Sequence, residues 1–190
     1  MNNARRILLY GFGPYRQFRH NITATIIKTL PPQRGLKKWV FSVRFHRRQF
    51  VEAIERFQPD IVIGLGQSSR QRIEVESQAA NCRRARAGGP VKDISSSGAA
   101  RLQTTLELKL GREGKTSMNA GDYVCNFSMY VMLDHIRREG LDIAFGFIHI
   151  PHEYDEKKAL RLVQKIIRHC SALHRKRSRL SAVRFSSSAG

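Results

Sequence analysis

Apolar residues fall along this chain in two spacings. Ile7-Leu8-Leu9-Tyr10 is a continuous apolar run closed by Gly11-Phe12-Gly13-Pro14, and Ile61-Val62-Ile63 runs into Gly64-Leu65-Gly66. Short apolar runs ended by glycine predict strands buried on both faces that open into tight loops. Residues 39–43 predict another strand. Residues 73–79 predict a further one, in which Ile73 and Val75 alternate with polar positions, and residues 143–150 a long one closed by Pro151. Elsewhere the period is helical. Residues 21–30 form a helix with Asn21 as its cap and Pro31-Pro32 as its stop. Phe50, Val51, Ile54 and Phe57 place a helix over 47–57, broken at Pro59. Phe127, Tyr130, Val131, Leu133 and Ile136 place one over 126–138, ended by Gly140. Residues 155–174 carry acids first and bases last, as a helix dipole favours. Residues 83–97 read as loop, 99–110 fit helix or strand, and 117–124 lead into Cys125.

Strands alternating with helices, most of the strands continuous in apolar character, predict an α/β fold: a three-layer α/β/α sandwich around a mostly parallel sheet. The length of 190 residues fits one domain, read here as residues 1–175, with 176–190 a basic, Ser-rich and flexible tail. No internal repeat is visible.

The apolar share of 41% is ordinary, whereas Lys plus Arg is 34 against 15 for Asp plus Glu, a net charge of +19. So basic a surface attracts polyanions. From Lys157 to Gly190 there is no acid and one aromatic residue, Phe185. Base stacking is therefore not suggested, and a solvated face and tail is the preferred reading over a nucleic-acid or anionic-surface partner. Three cysteines, Cys82, Cys125 and Cys170, are too few and odd in number for a secreted disulfide framework. The first apolar run is too short for a signal-peptide core or a membrane span. The expectation is a cytoplasmic protein. Neither glycine loop completes GxGxxG, which speaks against a dinucleotide, and no Cys/His spacing suggests zinc. No cofactor and no metal are expected.

Cys125 lies where a strand-like run meets the first turn of a helix. A helix N-terminus offers free N–H groups and positive potential to a thiolate, the setting of a nucleophilic cysteine. The plainer reading is a buried structural cysteine. His149 ends a strand, where α/β sheets place their ligand crevice and where a base for a thiol belongs. On position alone a satisfied core histidine is the simpler account, and His152 competes for the role. Glu76 could orient an imidazole, or be an outward strand residue. Glu74 shares its face by alternation.

Taken together, the segments Gly11-Phe12-Gly13-Pro14-Tyr15 with Asn21, Pro59 through Gln67, Glu76 through Asn81 with Ala85-Arg86, Ser117 through Asn126, and Gly146 through Pro151 resemble the pyroglutamyl peptidase I family, in the family's order. The resemblance implies a cysteine omega-peptidase that removes an N-terminal pyroglutamyl residue from peptides through a thiol acyl-enzyme. It implies Cys125 as nucleophile, His149 as base then acid, and Glu76 as orienting carboxylate, choosing Glu76 over Glu74 and His149 over His152. It places Arg86 beside the acyl oxygen, where with the Cys125 N–H it would stabilise the oxyanion. It makes Phe12, Tyr15, Tyr123 and Val124 the walls of the lactam pocket, the loop at Gln67 the source of backbone bonds, and Asn21 a brace for the first loop. A homotetramer is common in the family.

The chain departs from the family pattern in five places, the first of them Tyr15 where a phenylalanine is usual. Arg16-Gln17 stands where a glycine pair is frequent, and Asn21-Ile22-Thr23 replaces Asn-Pro-Ser. Ser68-Ser69-Arg70 replaces small, glycine-rich text. The loop after Arg86 is short. These changes bear on specificity more than on the triad, with Arg16 and Arg70 expected to narrow or redirect the pocket. The competing functions are a peptidase of altered specificity and a non-catalytic basic protein on the same fold.

Overall fold

A strand buried along its whole length needs a neighbour on each side and a layer on each face. β1 (Ile7–Phe12) meets this condition in the computed structural model, which describes residues 5–15 and 19–172. It pairs in parallel with β2 (Leu36–Phe41) and with β3 (Ile61–Ser68). Arg16 and the tail over 176–190 lie outside the described residues. After β3 come four short strands, β4 (Ile73–Glu76), β5 (Gln78–Ala80), β6 (Arg83–Arg84) and β7 (Val91–Lys92). Then follow β8 (Arg101–Gln103), β9 (Gly114–Ser117) and the long β10 (Ala144–Pro151). The main sheet has the order β2-β1-β3-β10-β4-β9, and β5-β8 and β6-β7 form two small ribbons. β10 runs parallel to β3 and antiparallel to β4, and β4 pairs in parallel with β9. The sheet is thus mostly parallel, as the continuous apolar runs require.

Among the described residues, four helices cover it. α2 (Arg47–Phe57) and α3 (Val124–Arg138) pack on one face, where Phe50, Ala53 and Ile54 meet Phe127, Val131 and Phe145. α1 (Ile22–Thr29) and α4 (Glu156–Ala172) cover the other, through Ile22, Ile26 and Ile27 and the stripe Leu162, Val163, Ile166, Ile167. Each such Val, Leu, Ile or Phe side chain, when fully buried, contributes about 1.5–3 kcal/mol. These two cores make the three layers. Asp134, fully buried on α3, accepts from Arg47 Nη2 at 2.7 Å and Arg138 Nε at 2.8 Å, which ties α2 to α3. No described helix is long and apolar enough to cross a membrane.

Some elements differ from the sequence reading. The strand expected over 73–79 is two strands in different sheets, parted at Ser77. There the Ser77 N–H donates to Ser117 O and its carbonyl accepts from Thr104 N, so the chain leaves the main sheet. The strand expected at 39–43 begins at Leu36 instead. The loop over 83–97 contains the short ribbon β6-β7, and 99–110 resolves into β8 followed by irregular chain. α3 starts at Val124, which puts Cys125 inside the first turn instead of just before it.

Beneath the C-terminal ends of β3 and β10 the aromatic packing is close. A Cβ on Gly64 would lie 2.3 Å from Phe147 Cδ2 and 2.6 Å from Tyr10 Cζ, so only glycine lets these rings cross β3. The Tyr10 hydroxyl is fully buried 3.1 Å from Ser128 Oγ, which itself donates to Cys125 O at 2.8 Å. Burial holds the Tyr10 phenol well above its ordinary value, more than the Ser128 bond lowers it.

Candidate active site

Three elements deliver the chemically active side chains to one end of the sheet. α3 presents Cys125 in its first turn, half-buried, where the helix N-terminus leaves N–H groups without intrahelical partners. Asn126 locks that turn in place. Its Oδ1 accepts from Ala80 N at 2.8 Å, and its Nδ2 donates to Ala80 O at 2.9 Å and Cys82 O at 2.8 Å. β10 carries His149 near its C-terminal end, buried, opposite Gly66 of β3. A methyl group on Gly66 would stand 2.7 Å from His149 Cδ2 and 2.8 Å from Cys125 Sγ. The sulfur and the imidazole therefore share the space above a bare stretch of backbone.

β4 supplies the carboxylates. Glu74 and Glu76 are both buried on this strand. Although Glu74 is the register partner of His149, Glu76, paired with Phe147, reaches diagonally to the ring. His149 Nδ1 and Glu76 Oε1 are 2.7 Å apart, and the ionised carboxylate makes Nδ1 the donor. This leaves the other ring nitrogen for the sulfur.

The electrostatics agree with the geometry. Burial alone would lower the His149 basicity. The charge of a Cys125 thiolate, the hydrogen bond to it and Glu76 outweigh burial and raise the imidazole to about 9. For Glu76 burial acts upward, but the His149 hydrogen bond and charge, with help from Ser117 and Arg70, hold it below the usual carboxylate value. The arrangement sets an imidazole of raised basicity, backed by a carboxylate, beside the sulfur.

Beside Cys125 lies a cavity of about 280 Å³, walled by Phe12, Tyr15, Val43, Tyr123 and Val124, with Asn21, Gln67, Ser68, Ser69 and His152 completing its lining. The Tyr15 and Tyr123 rings meet at 5.3 Å between centroids. Asn21 caps α1 by accepting from Thr23 N at 3.0 Å and donates to Gly13 O at 3.1 Å, binding the loop after β1 to the helix. Gln67 Oε1 accepts from Ile22 N at 3.0 Å, so its side chain is engaged in the fold while the residue lines the cavity.

The other sequence candidates are placed differently. His152 lines the cavity, with Nδ1 3.1 Å from Ser68 O, away from the Glu76 carboxylate. Arg86 is exposed on the loop between β6 and β7 and does not line this cavity. Arg70, expected to narrow the pocket, instead turns to the far side of the triad, where it reaches Glu74, Glu76 and the loop before Cys125. Its position four and six residues before two glutamates was the only sequence signal for that. Among the described residues, no group of three or more His, Cys, Asp or Glu could hold a metal ion.

The chain is similar to known proteins along most of its length. The sequence model of the pyroglutamyl peptidase family matches residues 5–160. The pyrrolidone-carboxylate peptidase of Oceanobacillus iheyensis is 34% identical over 172 residues, spanning 77% of this chain and 84% of that protein. That of Bacillus amyloliquefaciens is 35% identical over 170 residues, spanning 78% and 79%. The structure of pyrrolidone carboxyl peptidase from Thermococcus litoralis superposes with a TM-score of 0.77 at 21% identity, covering 86% of this chain and 92% of that one. The enzyme from Pyrococcus furiosus gives 0.74 at 23%, covering 86% and 96%. The two structures speak for the fold and the two sequence relatives for descent, so the chain belongs to the pyroglutamyl peptidase family.

Proposed function

We infer that this protein is a cysteine peptidase that hydrolyses the N-terminal pyroglutamyl residue from peptides. The observation that carries the reading is the hydrogen bond of Glu76 to His149, with the His149 ring and the Cys125 sulfur sharing the space above Gly66 beside an aromatic cavity. A pyroglutamyl lactam has no charged amine, and a small apolar pocket with backbone acceptors and donors suits it. In this reading its ring lies between Phe12, Tyr15, Tyr123 and Val124, and the backbone from Gln67 to Ser69 bonds its amide.

Attack by the Cys125 thiolate on the acyl carbon forms the C–S bond and moves charge onto the carbonyl oxygen. The N–H of Cys125, at the positive end of α3, is the donor for that oxygen. Arg86 joins it only if the exposed loop brings its guanidinium inward. Imidazolium His149 gives its proton to the leaving amine as the C–N bond breaks; water then attacks the acyl-enzyme while the neutral ring takes its proton, and the C–S bond breaks to free the acid and restore the Cys125 thiolate.

Release of a fluorophore from a pyroglutamyl amide, blocked by iodoacetamide, tests the function. Loss of the His149 proton should end the productive ion pair, so kcat/KM is expected to fall as pH rises through about 9. A plateau extending well beyond that value would contradict the His149 role.

A second reading concerns the charge. On the exposed face of α4, Lys157, Lys158, Arg161 and Arg168 have no ion-pair partner among the described residues, whereas Lys165 lies 3.7 Å from Glu113. That face favours a polyanion, nucleic acid included, over any other macromolecular partner.

A further inference from the structure

Arg70 stands in the loop between β3 and β4, about two-thirds buried, and its contacts span the parts that build the site. Nη1 donates to Glu76 Oε1 at 2.9 Å and to Ser117 Oγ at 3.3 Å. The same group contacts Glu74 Oε2, and Nη2 donates to Asn119 O. Residues 117–123 form the segment that leads from β9 into the helix turn of Cys125. The residues just before Arg70, Ser68 and Ser69, line the cavity. One guanidinium therefore joins the cavity loop, the carboxylate strand and the approach to the sulfur.

Its placement on Glu76 is specific. Arg70 and His149 both donate to Oε1, while Oε2 has no hydrogen-bond partner among the described residues. A cation sharing the oxygen that binds the imidazole draws off part of its negative charge. It also offsets two buried carboxylates that alternation places on one face of β4.

We propose that Arg70 is a positioning residue of this site: it aims the Glu76 carboxylate, braces the segment before Cys125, and sets by its charge the pH range in which the sulfur–imidazole pair works. The proposal rests on the Cys125–His149–Glu76 reading. The charged groups around it are Glu74 and Glu76 on β4, Lys115 of β9, which lies 3.1 Å from Glu74, and His149 on β10. Beyond them stand Cys125 on α3 and His152 at the cavity rim. Removing a cation from this set makes every proton in it harder to lose. Both limbs of the activity profile should then move to higher pH, as one coupled pair.

The test measures kcat, KM and the pH profile of kcat/KM for wild type, Arg70→Met and Arg70→Lys. The pH dependence of iodoacetamide alkylation of Cys125 is measured alongside. Arg70→Met is expected to lower kcat by about 10- to 100-fold through a loosened site, with KM within about threefold. Both limbs should rise by about one pH unit. Arg70→Lys should return the profile to the wild-type position while kcat stays low, because an ammonium restores the charge but not the planar reach to Asn119. Should Arg70→Met not fold, Glu74→Gln reads the same cluster: deleting a negative charge must move both limbs to lower pH. Profiles that do not move in any variant, whatever happens to kcat or thermal stability, overturn the proposal. A wild type inert toward pyroglutamyl amides would instead defeat the functional reading, and the alkylation profiles would still decide the role of Arg70.

Discussion

Cys125→Ala is expected to abolish turnover of pyroglutamyl amides, lowering kcat by four orders of magnitude or more, on the order of what loss of a covalent nucleophile costs. No other group can take over. Cys82, the nearest cysteine in sequence, has a thiol that burial pushes up, away from the reactive range. The fold should survive. Cys125 is only half-buried, the turn that carries it is pinned by Asn126, and alanine fits wherever cysteine does. A stability change within about 1 kcal/mol in urea unfolding would show this. A second readout comes from His149. Burial pulls that imidazole down, and the thiolate is the largest of the influences that raise it to about 9. Without the sulfur, the His149 proton resonance should titrate at clearly lower pH. An inactive variant with unchanged His149 titration would mean that the two groups do not form a pair.

Glu76→Gln is the next largest expected effect, a fall in kcat on the order of 10³–10⁴, by analogy with loss of the carboxylate in a serine triad. The amide can present N–H to Nδ1, which favours the wrong tautomer of His149 and leaves the sulfur facing a ring that cannot act as its base. Arg70 would keep Glu74 as a counter-ion. Glu74 is therefore the source of any residual activity, and Glu74→Gln in the Glu76→Gln background should remove it. The stability effect has a definite sign. The folded carboxyl titrates below its ordinary 4.5. Its contribution is present above 4.5 and disappears as pH falls through the folded value. The stability gap between wild type and Glu76→Gln should accordingly be wide at neutral pH and close on acidification. A gap that widens toward acid would place the charge of Glu76 elsewhere.

Much of this arrangement was visible in one dimension. Buried strands in parallel sheets carry apolar residues at every position, so β1, β3 and β10 could be read as continuous runs. α2 and α3 showed their inward stripes in Phe50 and Ile54, and in Phe127 and Val131. The turn at Cys125 could be placed because a strand-like run gives way there to a helical period. What alternation could not supply was register. Glu74 and Glu76 share a face, and the offset of β4 against β10 sets Glu74 opposite His149, so it is the diagonal reach of the Glu76 side chain that brings its carboxylate to the imidazole. Only the family resemblance favoured Glu76. The change of sheets at Ser77 was likewise hidden, because Ile73, Val75 and Ala79 keep one apolar rhythm across it. The charge of Arg70 is legible in the sequence, but its direction is not. A long side chain in a loop follows its partners, and those partners lie 4, 6 and about 50 residues further on. Arg86 illustrates the converse, a position inherited from a resemblance that lies exposed and outside the cavity lining here.

The buried phenol of Tyr10 turns the floor of the site into an optical reporter. Its folded value lies far above the ordinary 10.0, so the native protein holds that proton where an unfolded chain releases it. Stability linked to this group is intact below 10 and drains away as alkalinity increases. In a spectrophotometric titration of a Tyr130→Phe variant, which removes the other fully buried tyrosine with a raised phenol, Tyr10 should stay dark and then gain its phenolate absorbance abruptly, in step with unfolding. Because Ser128 relays Tyr10 to the carbonyl of Cys125, that late signal would mark the moment when the platform under the sulfur gives way.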